Sequence, residues 1–186
     1  MTLQDIMTTR RSVRAFADKP LSREAILKML DMARWAPYAT PCWRFVVVET
    51  PERKEQLARD ARQGWIAKAP AIIVVGAETW DISEGFTSRW DAYKFRDLFY
   101  IQTTAAAIQN LMLAAVEMGL GTCWIGSFNE GDVAKTVALP PGIRPVALIP
   151  VGYPAKPQQK GTRGPLEDIV FWEKYGSGRH GQNDPQ

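Results

Sequence analysis

The chain has 186 residues, 46% of them hydrophobic and 23% charged, with a formal net charge of +3. That length suits one domain with a real hydrophobic core, and so small and mixed a charge argues against nucleic acid or a membrane surface as partner. The single histidine, His180, lies in a polar tail, which argues against a histidine-based triad or a histidine-rich metal site. Cys42 and Cys123 have neither zinc-ligand spacing nor a disulfide pattern, which fits a reduced, cytoplasmic setting. Met1 to Thr9 lacks a long apolar core, so no signal peptide is expected. No segment reaches the roughly 20 apolar residues of a membrane span.

In chain order, a short helix is expected over Leu3 to Met7, followed by a basic turn. Ser22 is a good N-cap for the next helix, with Leu21 and Ile26 placed as a hydrophobic staple. Ile26, Met29, Leu30 and Ala33 form its apolar face, and Pro37 stops it at or before Ala36. The β-branched run Phe45 to Val48 predicts a buried strand. Thr50 and Pro51 then start a helix that reaches about Arg62. Ala71 to Val75 predicts a second buried strand.

The aromatic-rich stretch Trp80 to Trp90 is long for a turn and suggests a lid or a partner contact. A long helix from about Asp97 to Met118 is apolar on most sides. Such a helix needs either a second chain or close wrapping by its own sheet and neighbours. Gly119 ends it as a left-handed C′ residue. Thr122 to Ile125 reads as a short strand, Asn129 as the cap of a helix whose third position is Asp132, and Val146 to Val151 as a last buried strand. The pattern thus predicts one domain over residues 1–175 and a loose tail over 176–186.

The most informative stretch is Arg10-Arg11-Ser12-Val13-Arg14-Ala15-Phe16. A guanidinium offers a planar fork of donors that matches phosphate oxygens two at a time, and a serine hydroxyl can add another. By itself such a cluster is more often a solvated basic surface than a phosphate site.

This motif resembles the N-terminal phosphate motif of the nitroreductase family, and further segments are similar in the family's order. These are Ala36-Pro37-Tyr38-Ala39 with Trp43-Arg44-Phe45, then Gln109-Asn110-Leu111 through Gly119 to Gly126, then Pro150 to Pro154 with Arg163, Pro165 and Leu166. The resemblance implies an α+β fold, with a mixed, mostly antiparallel sheet flanked by helices in an intertwined homodimer. Alternating strands and helices alone would equally allow a parallel α/β sheet.

The resemblance also implies FMN as cofactor, NAD(P)H as co-substrate and a small-molecule electron acceptor, such as a nitroaromatic or quinone, in a ping-pong hydride reaction. It places FMN phosphate on Arg10, Ser12 and Arg163, with Arg11 assisting. It puts Arg14 near the flavin pyrimidine edge, where a cation would stabilise the reduced ring. It brings Pro37, Tyr38 and Ala39 in from the second subunit. It also passes the segment Cys123, Trp124, Ile125 and Gly126 along the flavin, with Gly126 letting the backbone come close. Plain core packing is an equally good reading of Trp124, and Cys123 reads as structural because no base lies nearby in sequence. No catalytic side chain or metal is required of the protein.

One departure stands out. The family segment carries an asparagine and a glutamine before its Pro-Trp, whereas Pro37 to Trp43 is shorter and lacks both amides. Tyr38 and Thr40 are the available replacements. This keeps open the alternative of a flavin-binding or regulatory protein without efficient turnover; a specialised flavin reaction on the same scaffold is the other alternative, although Trp80 to Trp90 shows none of the lid residues that would mark it.

Overall fold

The computed structural model describes residues 1–37, 41–79, 98–158 and 161–176. Five α-helices are described: α1 (Leu3–Thr9), α2 (Arg23–Ala33), α3 (Pro51–Asp60), α4 (Tyr100–Glu117) and α5 (Glu130–Thr136). They alternate with β1 (Trp43–Val48), β2 (Ala71–Glu78), β3 (Gly121–Thr122) and β4 (Ile143–Gly152).

The helix ends follow local chemistry. Thr2 and Asp5 form a reciprocal capping box on α1. Ser22 Oγ accepts from Ala25 N at 3.1 Å, and Leu21 and Ile26 are buried together behind it. Asn129 Oδ1 accepts from Asp132 N at 3.0 Å, as the sequence predicts. Gly119 adopts φ +71°, with Gly119 N donating to Val116 O at 2.9 Å and Leu120 N to Ala115 O at 2.8 Å. That pair of bonds is the Schellman arrangement, which closes α4 cleanly before β3. Thr50 heads α3 without a side-chain cap bond, and that helix stops at Asp60, short of Arg62.

The strands form one sheet in the order β1-β2-β4-β3, and every strand pair in it is antiparallel. Phe45 faces Val75, and Ile73 faces Ile149. An isolated parallel bridge joins Ser12 to Thr122. The α+β expectation therefore holds and the parallel alternative falls. Its attraction has a physical cause. β2 is buried on both faces, so Ala71 to Ala77 reads as a continuous apolar run whichever way its neighbours point.

Helices cover both faces of the sheet. Ile73 and Val75 of β2, with Ala147, Ile149 and Val151 of β4, pack against Met29 and Ala33 of α2 and Ile108 and Leu111 of α4. Ile72, Val74 and Leu148 point the other way, against Leu57 of α3, Ile66 and Val133 of α5. This is the period-two alternation of a strand sandwiched between two cores. β1 differs from expectation: Phe45, Val46 and Val47 are only half-buried, because β1 is the sheet's edge.

α4 buries Thr104, Ala107, Ile108, Leu111, Met112, Ala114 and Ala115 within its own chain. Ile101, Ala105, Leu113 and Val116 remain half-exposed. Its own sheet and α2 thus account for one side of the helix. Among the described residues, no helix is long and apolar enough to cross a membrane.

Candidate cofactor-binding site

Backbone pairing delivers the arginine motif to its place. Arg10 follows α1 directly, its N–H closing the last turn on Ile6 O at 3.1 Å. Ser12 bridges to Thr122, and Val13 N donates to Thr122 O at 2.9 Å. Ala17 N then donates to Tyr153 O at 2.8 Å, and Ala155 N to Ala15 O at 3.0 Å. The N-terminal segment is therefore held against both β3 and the exit of β4. The chain leaving β4 returns to the same region through Gln158, Gly161 and Arg163.

The result is an open cleft of about 470 Å³ lined by Arg10, Arg11, Ser12, Arg14, Gln158 and Arg163. Four arginines line it, and no carboxylate is among the described lining residues. Arg11 is restrained: its Nη1 donates to Arg10 O at 2.6 Å, and its guanidinium lies against Gly161, where a β-carbon would sit 3.2 Å from Nε and Nη2. Arg163 Nη1 donates to Thr162 O at 3.0 Å. The side chains of Arg10 and Arg14 have no ion pair or hydrogen bond among the described residues. Next to Ser12, Thr122 Oγ1 is buried and lacks a hydrogen-bond partner among the described residues. Donors so concentrated make a site for a multiply charged oxyanion, and the set fits a phosphate monoester.

The strand-like segment after Thr122 splits its side chains between two environments. Cys123 and Ile125 are buried in the core beside Leu148, so they can meet a ligand only through their backbones. Trp124 and Gly126 instead line a second pocket of about 180 Å³, with Ile101, Ala105, Ile108, Phe128 and Val146 as apolar walls. Trp124 is thus a half-open wall residue, 39% exposed, rather than plain core.

Arg144 and Glu130 close one edge of that pocket. Arg144 Nε and Nη2 donate to the two oxygens of Glu130 at 2.9 and 2.8 Å, and Nη1 donates to Tyr100 Oη at 3.1 Å. The hydrogen bonds from Arg144 hold the Glu130 carboxyl below the usual carboxylate range, and Glu130 in turn pushes the Arg144 guanidinium further toward its charged form.

A third cleft, of about 500 Å³, lies beside Asp60 and Asn129. There the buried Asp60 carboxylate accepts from Gln56 Nε2 and Thr136 Oγ1, both at 2.7 Å, which makes it a brace between α3 and α5.

Arg10, Arg11, Ser12, Arg14 and Arg163, singled out from sequence, thus converge in one cleft. Arg14 shares that cleft with the other arginines. Pro37 is exposed and lines neither pocket. Tyr38 and Ala39 lie outside the described residues, as do Trp80 to Trp90 and residues 177–186. Sequence reasoning missed Gln158 and Gly161, whose surroundings carry no local signal. It also missed the Arg144–Glu130 pair, which joins residues 14 apart across a helix and a strand.

The sequence model of the Nitroreductase family matches residues 7–153, from α1 through the arginine motif to the end of β4. The chain belongs to the nitroreductase family. A relative from Methanothermobacter thermautotrophicus, with the provisional name NADH dehydrogenase/NAD(P)H nitroreductase, is 30% identical over 94% of this chain and 88% of its own. A Bacillus subtilis FMN reductase (NADPH) is 27% identical over 94% of this chain and 74% of its own. Among solved structures, a Bacteroides thetaiotaomicron protein with the same provisional name as the first relative superposes with a TM-score of 0.79 at 27% identity, over 92% of this chain and 98% of its own. The nitroreductase match thus includes Arg10 to Arg14 of the cleft, while Gln158 and Arg163 lie beyond its last residue.

Proposed function

We propose that this protein is an FMN-dependent oxidoreductase that passes electrons from NAD(P)H to a small nitroaromatic, quinone or similar acceptor. One observation carries the reading: Arg10, Arg11, Ser12 and Arg14 line one cleft together with Arg163, from the far end of the chain, and no acid is among its described lining residues. The names of the relatives, FMN reductase and NAD(P)H nitroreductase, point the same way.

Arg10, Ser12 and Arg163 bind the FMN phosphate, and Arg11, braced on Gly161, supports them. FMN rather than FAD suits a chain with no glycine-rich dinucleotide fingerprint after a strand. Trp124 and Gly126 shape the route from that cleft toward the second pocket. When bound, FMN supplies the hydride relay between reductant and acceptor, and the protein positions both and supplies the electrostatics. Arg14 places positive charge where the reduced cofactor gains negative charge.

The working unit of this proposal is a homodimer in which Pro37, Tyr38 and Ala39 reach the partner's flavin. The exposed Leu3, Met7, Leu27 and Trp35, with the half-exposed face of α4, supply apolar surface for such an interface. Sedimentation at low micromolar concentration should show a dimer that keeps its flavin; a flavin-bearing monomer would refute the assembly.

The deciding experiment is spectroscopic. The purified or reconstituted protein should show a flavin spectrum, release FMN on denaturation, and bleach with NAD(P)H before an acceptor restores the colour. Flavin binding without NAD(P)H oxidation would leave the regulatory alternative in its place.

A further inference from the structure

We propose that Arg11 is a positioning residue: the flat face of its guanidinium seats Gly161, and through Gly161 it delivers Arg163 to the cleft. The inference rests on the FMN reading for its ligand and on the cleft alone for its geometry.

The part of the chain that carries Arg163 has no backbone pairing to hold it. Among the described residues, its last backbone hydrogen bond to the body is Ala155 N to Ala15 O at 3.0 Å. Beyond that point the described backbone bonds stay local: Asp168 N to Pro165 O, Ile169 N to Leu166 O and Lys174 N to Trp172 O. Residues 161–169 are all exposed. A stretch of this kind keeps its place through side-chain contacts, because neither a ladder nor a core fixes it.

The contact at Gly161 has a specific geometry. A β-carbon there would lie 3.2 Å from Arg11 Nε, 3.2 Å from Nη2 and 3.3 Å from Cζ. An approach along the edge of the group would leave Cζ clearly farther away than the two nitrogens. The near-equality puts Gly161 over the face of the planar guanidinium. Any side chain at 161 would press into that face, so this close seat requires glycine.

Arg11 is itself pinned. Its Nη1 donates to Arg10 O at 2.6 Å, which ties the plane of the group to the N-terminal backbone. That backbone is bonded to β3 through Val13 N and Thr122 O at 2.9 Å. A continuous path therefore runs from the sheet to Arg11, from Arg11 to Gly161, and from Gly161 to Arg163 two residues on.

The four arginines then divide the work. Arg10 and Arg14 lie on a segment that β3 and the exit of β4 already fix, and they need no help from Arg11. Arg163 Nη1 donates to Thr162 O, so its side chain follows its own backbone, and that backbone follows Gly161. Arg11 contributes to anion binding by keeping Arg163 in reach of the anion. The role needs a planar face as well as a charge. Lysine supplies the charge without the face.

The test is a double-mutant cycle, read as the affinity of apoprotein for FMN by fluorescence titration. Arg11→Ala and Arg163→Ala should each raise Kd about tenfold or more, the loss of a hydrogen bond to a charged group. The double variant should be no more than about twofold worse than Arg163→Ala, because Arg11 has then lost the group it acts through. Arg11→Lys should behave like Arg11→Ala. Gly161→Val keeps all four arginines and should match Arg11→Ala, again only while Arg163 is present. Riboflavin, which lacks the phosphate, should bind every variant as it binds the wild type, a result that general damage to the fold would not give. Losses that multiply in the double variant, full affinity in Arg11→Lys or Gly161→Val, or a parallel loss of riboflavin would overturn the proposal. A wild type that takes up no FMN would refute the FMN reading. The same cycle followed with inorganic phosphate by phosphorus NMR requires only the cleft and decides the role of Arg11 in that case too.

Discussion

Gly121 and Val13 touch at the limit of packing: a β-carbon on Gly121 would fall 2.5 Å from Val13 Cγ2. Val13 is buried and sits in the middle of the arginine motif, and its N–H is bonded to Thr122 O. The contact therefore fixes how close the N-terminal segment lies to β3, and with it the position of Arg10, Ser12 and Arg14. Gly121→Ala must push this segment outward. Overpacking of this kind costs about 1–3 kcal/mol, and in a chain of this size should lower Tm by roughly 2–4 °C per kcal/mol. FMN affinity should fall along with Tm. Scanning calorimetry and flavin titration measure the two effects, and an unchanged Tm would mean that the segment yields freely.

Arg10 has no ion pair or side-chain hydrogen bond to keep it in place among the described residues. Arg10→Ala should therefore leave the fold's stability almost unchanged. It should weaken FMN by about 1.5–3 kcal/mol, the range for a hydrogen bond to a charged group. Fluorescence titration of apoprotein with FMN provides the number. Full affinity in the variant would return Arg10, Arg11 and Ser12 to the status of a solvated basic face.

The Glu130–Arg144 pair makes a prediction about acid. The Glu130 carboxyl is lowered by hydrogen bonds from Arg144, so the folded protein releases its proton more readily than the unfolded chain. Its stabilising contribution is present above the unfolded value of about 4.3 and fades as pH falls through the lower folded value. Both side chains are 47% exposed, so the contribution should be only about 0.5 kcal/mol. Urea unfolding at pH 6 should show Glu130→Gln less stable by that amount, and the gap should close near pH 3. A constant gap across that range would mean that charge is not its source.

Cys42 has the opposite sign. Burial pushes its thiol up, more than the hydrogen bond to Thr104 lowers it. The native state disfavours the thiolate, so stability is full below the unfolded value of about 8.5 and declines as pH rises above it. A disulfide-exchange reagent at pH 8 should leave Cys42 unmodified until the protein unfolds. Rapid labelling of native protein, located at Cys42 by peptide mapping, would show that the α4–β1 packing opens locally.

Much of the local structure was determined by sequence alone. Ser22, Asn129 and Gly119 announce helix ends because capping is a matter of two or three residues and their own backbone. The β2 run was legible as a buried strand because both of its faces are apolar. The arginine motif was legible as a possible anion site, and family resemblance added Arg163 from the far end of the chain. Only the tertiary structure decided the rest. Strand direction was undetermined because a strand buried on both faces has lost the alternation that marks a one-sided sheet. The half-burial of Phe45 to Val47 depends on β1 being an edge, which is a property of the sheet and not of the strand. The same segment sends Cys123 and Ile125 into the core and Trp124 and Gly126 to a pocket, a division set by pairing of Ile125 with Leu148. Gln158 lining the same cleft as Arg10, and Arg144 clasping Glu130, bring together separate pieces of chain. Such pairs leave no periodicity or spacing to read, because nothing but the fold brings them together.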